Sequence, residues 1–112
     1  MAVIQNAISK YVVKLGVLDG GVQKTEIDLY QSSKKGSNHI ARLKFTEDSI
    51  IPAPSWAAPG SMGPITITYP LSRYETIIDL LRNETPLKLV SVQSWKSATI
   101  QSGHEPVGEE ES

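Results

Sequence analysis

Apolar residues fall on alternate positions through most of the first forty-five residues. In 8–18 (ISKYVVKLGVL), Tyr11, Val13, Leu15 and Val17 alternate with Lys10, Val12 and Lys14. In 24–30 (KTEIDLY), Thr25, Ile27 and Leu29 alternate with Glu26, Asp28 and Tyr30; in 40–45 (IARLKF), Ala41, Leu43 and Phe45 alternate with Ile40, Arg42 and Lys44. A period of two marks half-buried antiparallel strands. The glycines of DGG (19–21) suit a tight turn, because glycine adopts positive φ without a Cβ clash. QSSKKGSN (31–38) reads as a polar loop.

The two connections also predict a register. With Leu18 opposite Val22 and Gln31 opposite His39, Val13, Ile27 and Leu43 form one row, and Tyr11, Leu29 and Ala41 the next. On the opposite face, Lys14, Glu26 and Lys44 align, as do Val12, Asp28 and Arg42. Apolar residues meet apolar ones and opposite charges stand side by side, each such pair contributing about 0.2–1 kcal/mol. A slip of one residue would bring lysine onto the apolar face.

GPITITYP (63–70) predicts a fourth strand with Ile65, Ile67 and Tyr69 on one side. The helix pattern is confined to 72–83, where Tyr74, Ile77, Ile78 and Leu81 make a stripe at i, i+3, i+4 and i+7. Its charged face carries Arg73, Glu75, Asp79 and Arg82. Ser72 and Glu75 match a capping box. Asn83 is the expected left-handed terminator, and Pro86 bars continuation. Residues 87–101 return to strand, with Trp95 expected to pack. The order β-β-β-loop-β-α-β(-β) predicts an α+β, mainly antiparallel fold, a small sandwich or curved sheet with one amphipathic helix.

IPAPSWAAPGSMGPI (51–65) fits neither period. Its prolines favour an extended path, which suits either a recognition loop presenting Trp56 or a long crossover whose indole covers the core. The covering role is the stronger expectation, since tryptophan buries much area while keeping one edge wet.

At 112 residues, 39% hydrophobic and 21% charged, the chain reads as one domain over 1–102. The net charge of −1 conceals an asymmetry. Residues 103–112 (GHEPVGEEES) hold four glutamates and no Lys or Arg. Setting those four aside from the twelve acids leaves eight against eleven basic residues, or +3, in 1–102. An acidic, disordered tail on a mildly basic body is expected. The absence of cysteine excludes disulfides and thiolate chemistry. With no signal-peptide pattern and no apolar run long enough to span a bilayer, a cytoplasmic location is expected.

Motifs for chemistry are scarce. His39 and His104 have no partner at metal-ligand spacing, and no G-x-S-x-G turn is present. GGVQKT (20–25) carries Gln23 where a phosphate loop needs glycine, and a strand follows instead of a helix. NET (83–85) is a glycosylation sequon without evidence of secretion. No catalytic function, cofactor or metal is expected. The preferred reading is a binding or assembly module acting on a protein partner or on itself, with Pro54, Trp56, Met62, Arg73 and Arg82 as candidate contacts. The alternative is a single-stranded nucleic-acid binder using Lys10, Lys14, Tyr30, Arg42 and Lys44. Nucleic acid is disfavoured because Glu26 and Asp28 stand between the basic strands and would repel phosphate.

Overall fold

Among the described residues the chain forms eight strands, most of them from the alternating segments, and the periodic segment forms a helix. The computed structural model describes residues 3–21, 23–56, 64–84 and 86–102. Met62, Val22 and the tail 103–112 with His104 lie outside the described residues. The elements are β1 (Ile4–Ile8), β2 (Lys10–Val17), β3 (Gln23–Ser33), β4 (Gly36–Thr46), β5 (Ser55–Trp56), β6 (Ile65–Pro70), α1 (Tyr74–Asn83), β7 (Leu87–Val92) and β8 (Ser97–Ser102). They form a three-stranded sheet, β1-β7-β8, and a five-stranded sheet, β2-β3-β4-β6-β5. The fold is α+β and mainly antiparallel.

The segment expected as one strand from residue 8 divides at Ser9. β1 pairs with β7, whereas β2 pairs with β3. At the bend, the Ser9 amide donates to the Tyr30 carbonyl at 2.8 Å, and Ser9 Oγ accepts from the Ser32 amide at 3.0 Å. These bonds occupy backbone groups that the change of sheet would otherwise strand.

From β2 to β4 the register agrees with the apolar pattern: Val13 faces Ile27, Ile27 faces Leu43, and Leu29 faces Ala41. It then departs from expectation. A register shift between Leu29 and Tyr30 sets Tyr30 opposite His39 and Gln31 opposite Asn38. Ile40 becomes the extra residue of a β-bulge, so Ile40 and its neighbour Ala41 are both buried. The expected loop at 31–38 is mostly ladder, with β3 and β4 extending until only Lys34 and Lys35 remain in the turn. Gly36, at φ 121°, adopts the positive φ this tight reversal needs.

β4 and β6 run parallel, Leu43 facing Ile67. Parallel neighbours require a crossover of a dozen residues or more, and the proline-rich segment supplies it. Midway, β5 pairs antiparallel with β6, Trp56 facing Ile65, and Trp56 packs on the core. That core joins Ile27, Leu29, Leu43 and Ile67 of the larger sheet to Ile77, Ile78 and Leu81 of α1 and Leu87 and Leu89 of β7. Phe45 stacks on Tyr69 at 5.9 Å and meets Tyr74 edge-on at 5.2 Å.

Three terminal features differ from the sequence expectation. A 3-10 turn over Leu71–Arg73 leads into α1, making Arg73 the N-cap with no side-chain capping bond. Ser72 lies inside that turn, so the capping box does not form; a cap must sit where the backbone is not yet helical. Asn83 stays helical and Glu84 leaves in extended conformation, its amide donating to the Leu80 carbonyl at 3.1 Å. Trp95 falls in the turn between β7 and β8, exposed, with Lys96 left-handed beside it at φ 50°.

Candidate assembly edge and charged sheet face

The apolar surface left in water gathers on β2. Among the described residues β2 is an edge strand of the larger sheet. Val12, Val13, Leu15 and Val17 on it, and Leu18 just past its end, are exposed, Leu15 and Val17 to 70% and 72%. The alternation that makes 10–17 a strand aims Val13, Leu15 and Val17 to the core side. β2 is too far from the centre of the sheet for α1 to cover them all. An edge strand also leaves half of its backbone donors and acceptors unpaired by the sheet. Proteins usually blunt such edges with lysine, proline or a bulge. Here β2 contains no proline, and its two lysines lean over the neighbouring strand, Lys14 to Asp28 and Lys10 over the Tyr30 ring.

The other face of the same sheet carries charge. Register places Lys10, Lys14, Lys24, Glu26, Asp28, Tyr30, Arg42 and Lys44 together on three adjacent strands, and the bulge adds His39. Asp28 lies at the centre with its side chain 1% exposed. Its Oδ1 accepts from Arg42 Nε at 3.0 Å and lies 3.2 Å from His39 Nε2. Its Oδ2 is 2.6 Å from Lys14 Nζ. The covering side chains are 43% (Lys14), 41% (Arg42) and 27% (His39) exposed. Glu26, also buried, has Oε1 3.5 Å from Arg42 Nε and 3.7 Å from Lys24 Nζ, without an aligned hydrogen bond.

Burial by itself would raise the Asp28 carboxyl; the hydrogen bonds from Lys14 and Arg42, with the charges of Arg42 and His39, outweigh it and hold the group below its ordinary range. Lys14 and Arg42 are raised in return, chiefly by their hydrogen bonds to Asp28. The expected rows are present in the register, but the ion contacts run diagonally, Lys14 facing Glu26 yet reaching Asp28, and Arg42 approaching both acids. With Glu26 and Asp28 buried, the expectation that they stand open to repel phosphate does not hold. The acids sit beneath the cations, because shorter carboxylates stay close to the sheet while lysine and arginine reach past them to water.

The sequence-proposed contact residues do not converge on one place. Pro54 and Trp56 are half-buried at the β5 edge, Trp56 against the core. Arg73 and Arg82 lie on the exposed side of α1, and Arg82 lines a cleft between α1 and β2 with Tyr11, Val13, Tyr74 and Asp79. Lys10, Lys14, Tyr30, Arg42 and Lys44 do share a face. The Tyr30 ring is already flanked by Lys10 Nζ at 5.4 Å from its centroid and by the His39 ring at 5.2 Å. Sequence reasoning missed the His39–Asp28 contact, which depends on the bulge. It also left the β2 edge out of the candidate contacts, although the apolar character of 11–18, interrupted by Lys14 and Gly16 alone, was the available signal.

Among the described residues no group of three or more His, Asp or Glu is placed to hold a metal ion, and no helix is long and apolar enough to cross a membrane. No protein-family model, curated protein or solved structure matches the chain.

Proposed function

We propose that this protein is a non-catalytic assembly module that associates with a second copy of itself through the β2 edge. The observation that carries this reading is the self-complementary order of the exposed residues. Set two β2 strands antiparallel with Leu15 on the twofold axis. Leu15 then faces Leu15, Val13 faces Val17, Val12 faces Leu18, and Lys14 faces Gly16. Each of the five exposed apolar residues meets an apolar residue of the copy, and no lysine opposes a lysine. A twofold interface uses one patch twice and demands this kind of self-match. Five such apolar pairs, with new ladder hydrogen bonds beside them, contribute roughly 1–5 kcal/mol from side chains. The joined sheets extend across the axis and the β2 edge is no longer open.

Leu15→Lys tests the reading. The side chain is largely in water in the single chain, so the fold should change by no more than about 0.5 kcal/mol. In the assembly two lysines would meet on the axis. Sedimentation equilibrium should give a concentration-dependent dimer for the unaltered protein and a monomer for the variant, with matching circular dichroism. A dimer that survives Leu15→Lys unchanged, or an unaltered protein that stays monomeric at millimolar concentration, would discard the β2 edge.

A further inference from the structure

We infer that the charged face of the five-stranded sheet is a docking surface for an acidic extended segment, and that its occupant is residues 103–112 of this same chain. Lys10, Lys14, Lys24, Arg42 and Lys44 stand on that face against Glu26 and Asp28, an excess of three positive charges. The remainder of 1–102 has six basic residues (Lys34, Lys35, Arg73, Arg82, Lys88 and Lys96) and six acids (Asp19, Glu47, Asp48, Glu75, Asp79 and Glu84). The whole positive excess of the body is thus on one sheet face. The whole negative excess of the chain is in Glu105, Glu109, Glu110 and Glu111. Since Glu26 and Asp28 are buried, an approaching carboxylate meets ammonium and guanidinium groups first.

Ser102 pairs with Leu87, and Leu87 pairs with Ile8. The last described residue therefore lies two strand spacings, about 10 Å, from the bend that leads to Lys10. From Lys10 to Lys14 is roughly 14 Å along β2. An extended segment covers about 3.3–3.6 Å per residue. Glu105, three residues past Ser102, comes level with Lys10, and Glu109–Glu111, seven to nine residues past it, come level with Lys14 and Arg42. Tyr30 is flanked by Lys10 and His39, so the face offers charge without a free aromatic platform. That favours a carboxylate-bearing peptide over the stacked bases of a single-stranded nucleic acid. Docking here leaves Val13, Leu15 and Val17 of the proposed β2–β2 contact uncovered on the other face of the sheet, while Val12 shares the charged face.

The chain has no cysteine, so Ser112→Cys gives a single attachment point for a nitroxide on the chain of residues 1–112. At an ionic strength of about 0.01 M, where charges act over about 30 Å, amide signals of Lys10, Lys14, Tyr30, Arg42 and Lys44 should lose about half their intensity or more. At about 1 M, where that range is about 3 Å, they should recover. Replacing Glu109, Glu110 and Glu111 with Gln should abolish the loss without altering the other amides. Unbroadened sheet amides at low salt would overturn the inference, as would broadening centred elsewhere. Equal broadening in a mixture of spin-labelled unenriched chain and unlabelled 15N-enriched chain would also overturn it, by assigning the contact to another copy's tail.

Discussion

Asp28→Asn probes the charged face most directly, because the side chain keeps its shape and loses its charge. In the folded protein the carboxylate is almost wholly buried and touches Lys14, Arg42 and His39 at 2.6–3.2 Å. At an effective dielectric constant of about 20, unit charges 3 Å apart attract by roughly 5 kcal/mol gross. Desolvation takes back much of this. Removing one member of a fully buried pair costs about 3–5 kcal/mol, and an exposed pair contributes about 0–1. Here the acid is buried but Lys14 and Arg42 are about two-fifths exposed and can turn back to water. The expected cost is therefore intermediate, about 2 kcal/mol, or roughly 8–12 °C in Tm for a domain near 100 residues.

Urea unfolding followed by tryptophan emission, with the slope against denaturant held constant, measures this difference. The pH dependence gives an independent check. Asp28 is held below its ordinary value of 3.8 in the folded state, so its stabilisation is complete above that value and is lost as pH falls through the lower folded one. The gap between wild type and Asp28→Asn should be flat near neutrality and close in acid below about pH 4. Lys14 and Arg42 are raised, so their share fades only in alkali, as pH rises through their folded values. Double-mutant cycles with Lys14→Met and Arg42→Met should each return a positive coupling. The reasoning fails if Asp28→Asn unfolds within about 0.5 kcal/mol of wild type at pH 7, or if the gap persists unchanged into acid.

Two other substitutions separate structural roles that the sequence left ambiguous. Trp56→Ala should cost about 2 kcal/mol, less than the 3–5 of a fully buried tryptophan, and should remove the bluer, better-shielded part of the emission, leaving the iodide-accessible signal of Trp95. Equal quenching of both indoles in the wild type would contradict the packing of Trp56. Ser72→Ala should change stability by less than about 0.5 kcal/mol, whereas a working N-cap would cost about 1 kcal/mol; thermal melts decide between them.

Much of the architecture was legible because burial on one face writes a period of two into a strand. The rows through Val13–Ile27–Leu43 and the stripe Tyr74–Ile77–Ile78–Leu81 are direct readings of that kind. What escaped were features whose causes are not periodic. The bulge at Ile40 leaves no local mark, since isoleucine suits either face of a strand. It shifts His39 onto Asp28 all the same. The change of sheet at Ser9 needs knowledge of β7, nearly eighty residues away. The parallel pairing of β4 and β6 is set by where the crossover lands, which the prolines of 52–64 permit but do not specify. Ser72 and Glu75 hold the capping spacing, yet the turn after Pro70 draws Ser72 into the helical run. The β2 edge was hidden differently: alternation distinguishes inward from outward, but does not tell whether a strand has neighbours on both sides.

The bend at Ser9 has a consequence for how the molecule comes apart. Because a single stretch of backbone is stitched into both ladders, pulling it free of one loosens its grip on the other. The smaller sheet can neither detach as a flap nor outlast the larger one. Protection of its amides against solvent exchange is then tied to that of β3 and β4, and a lesion at the Ser9 bend is felt in both sheets.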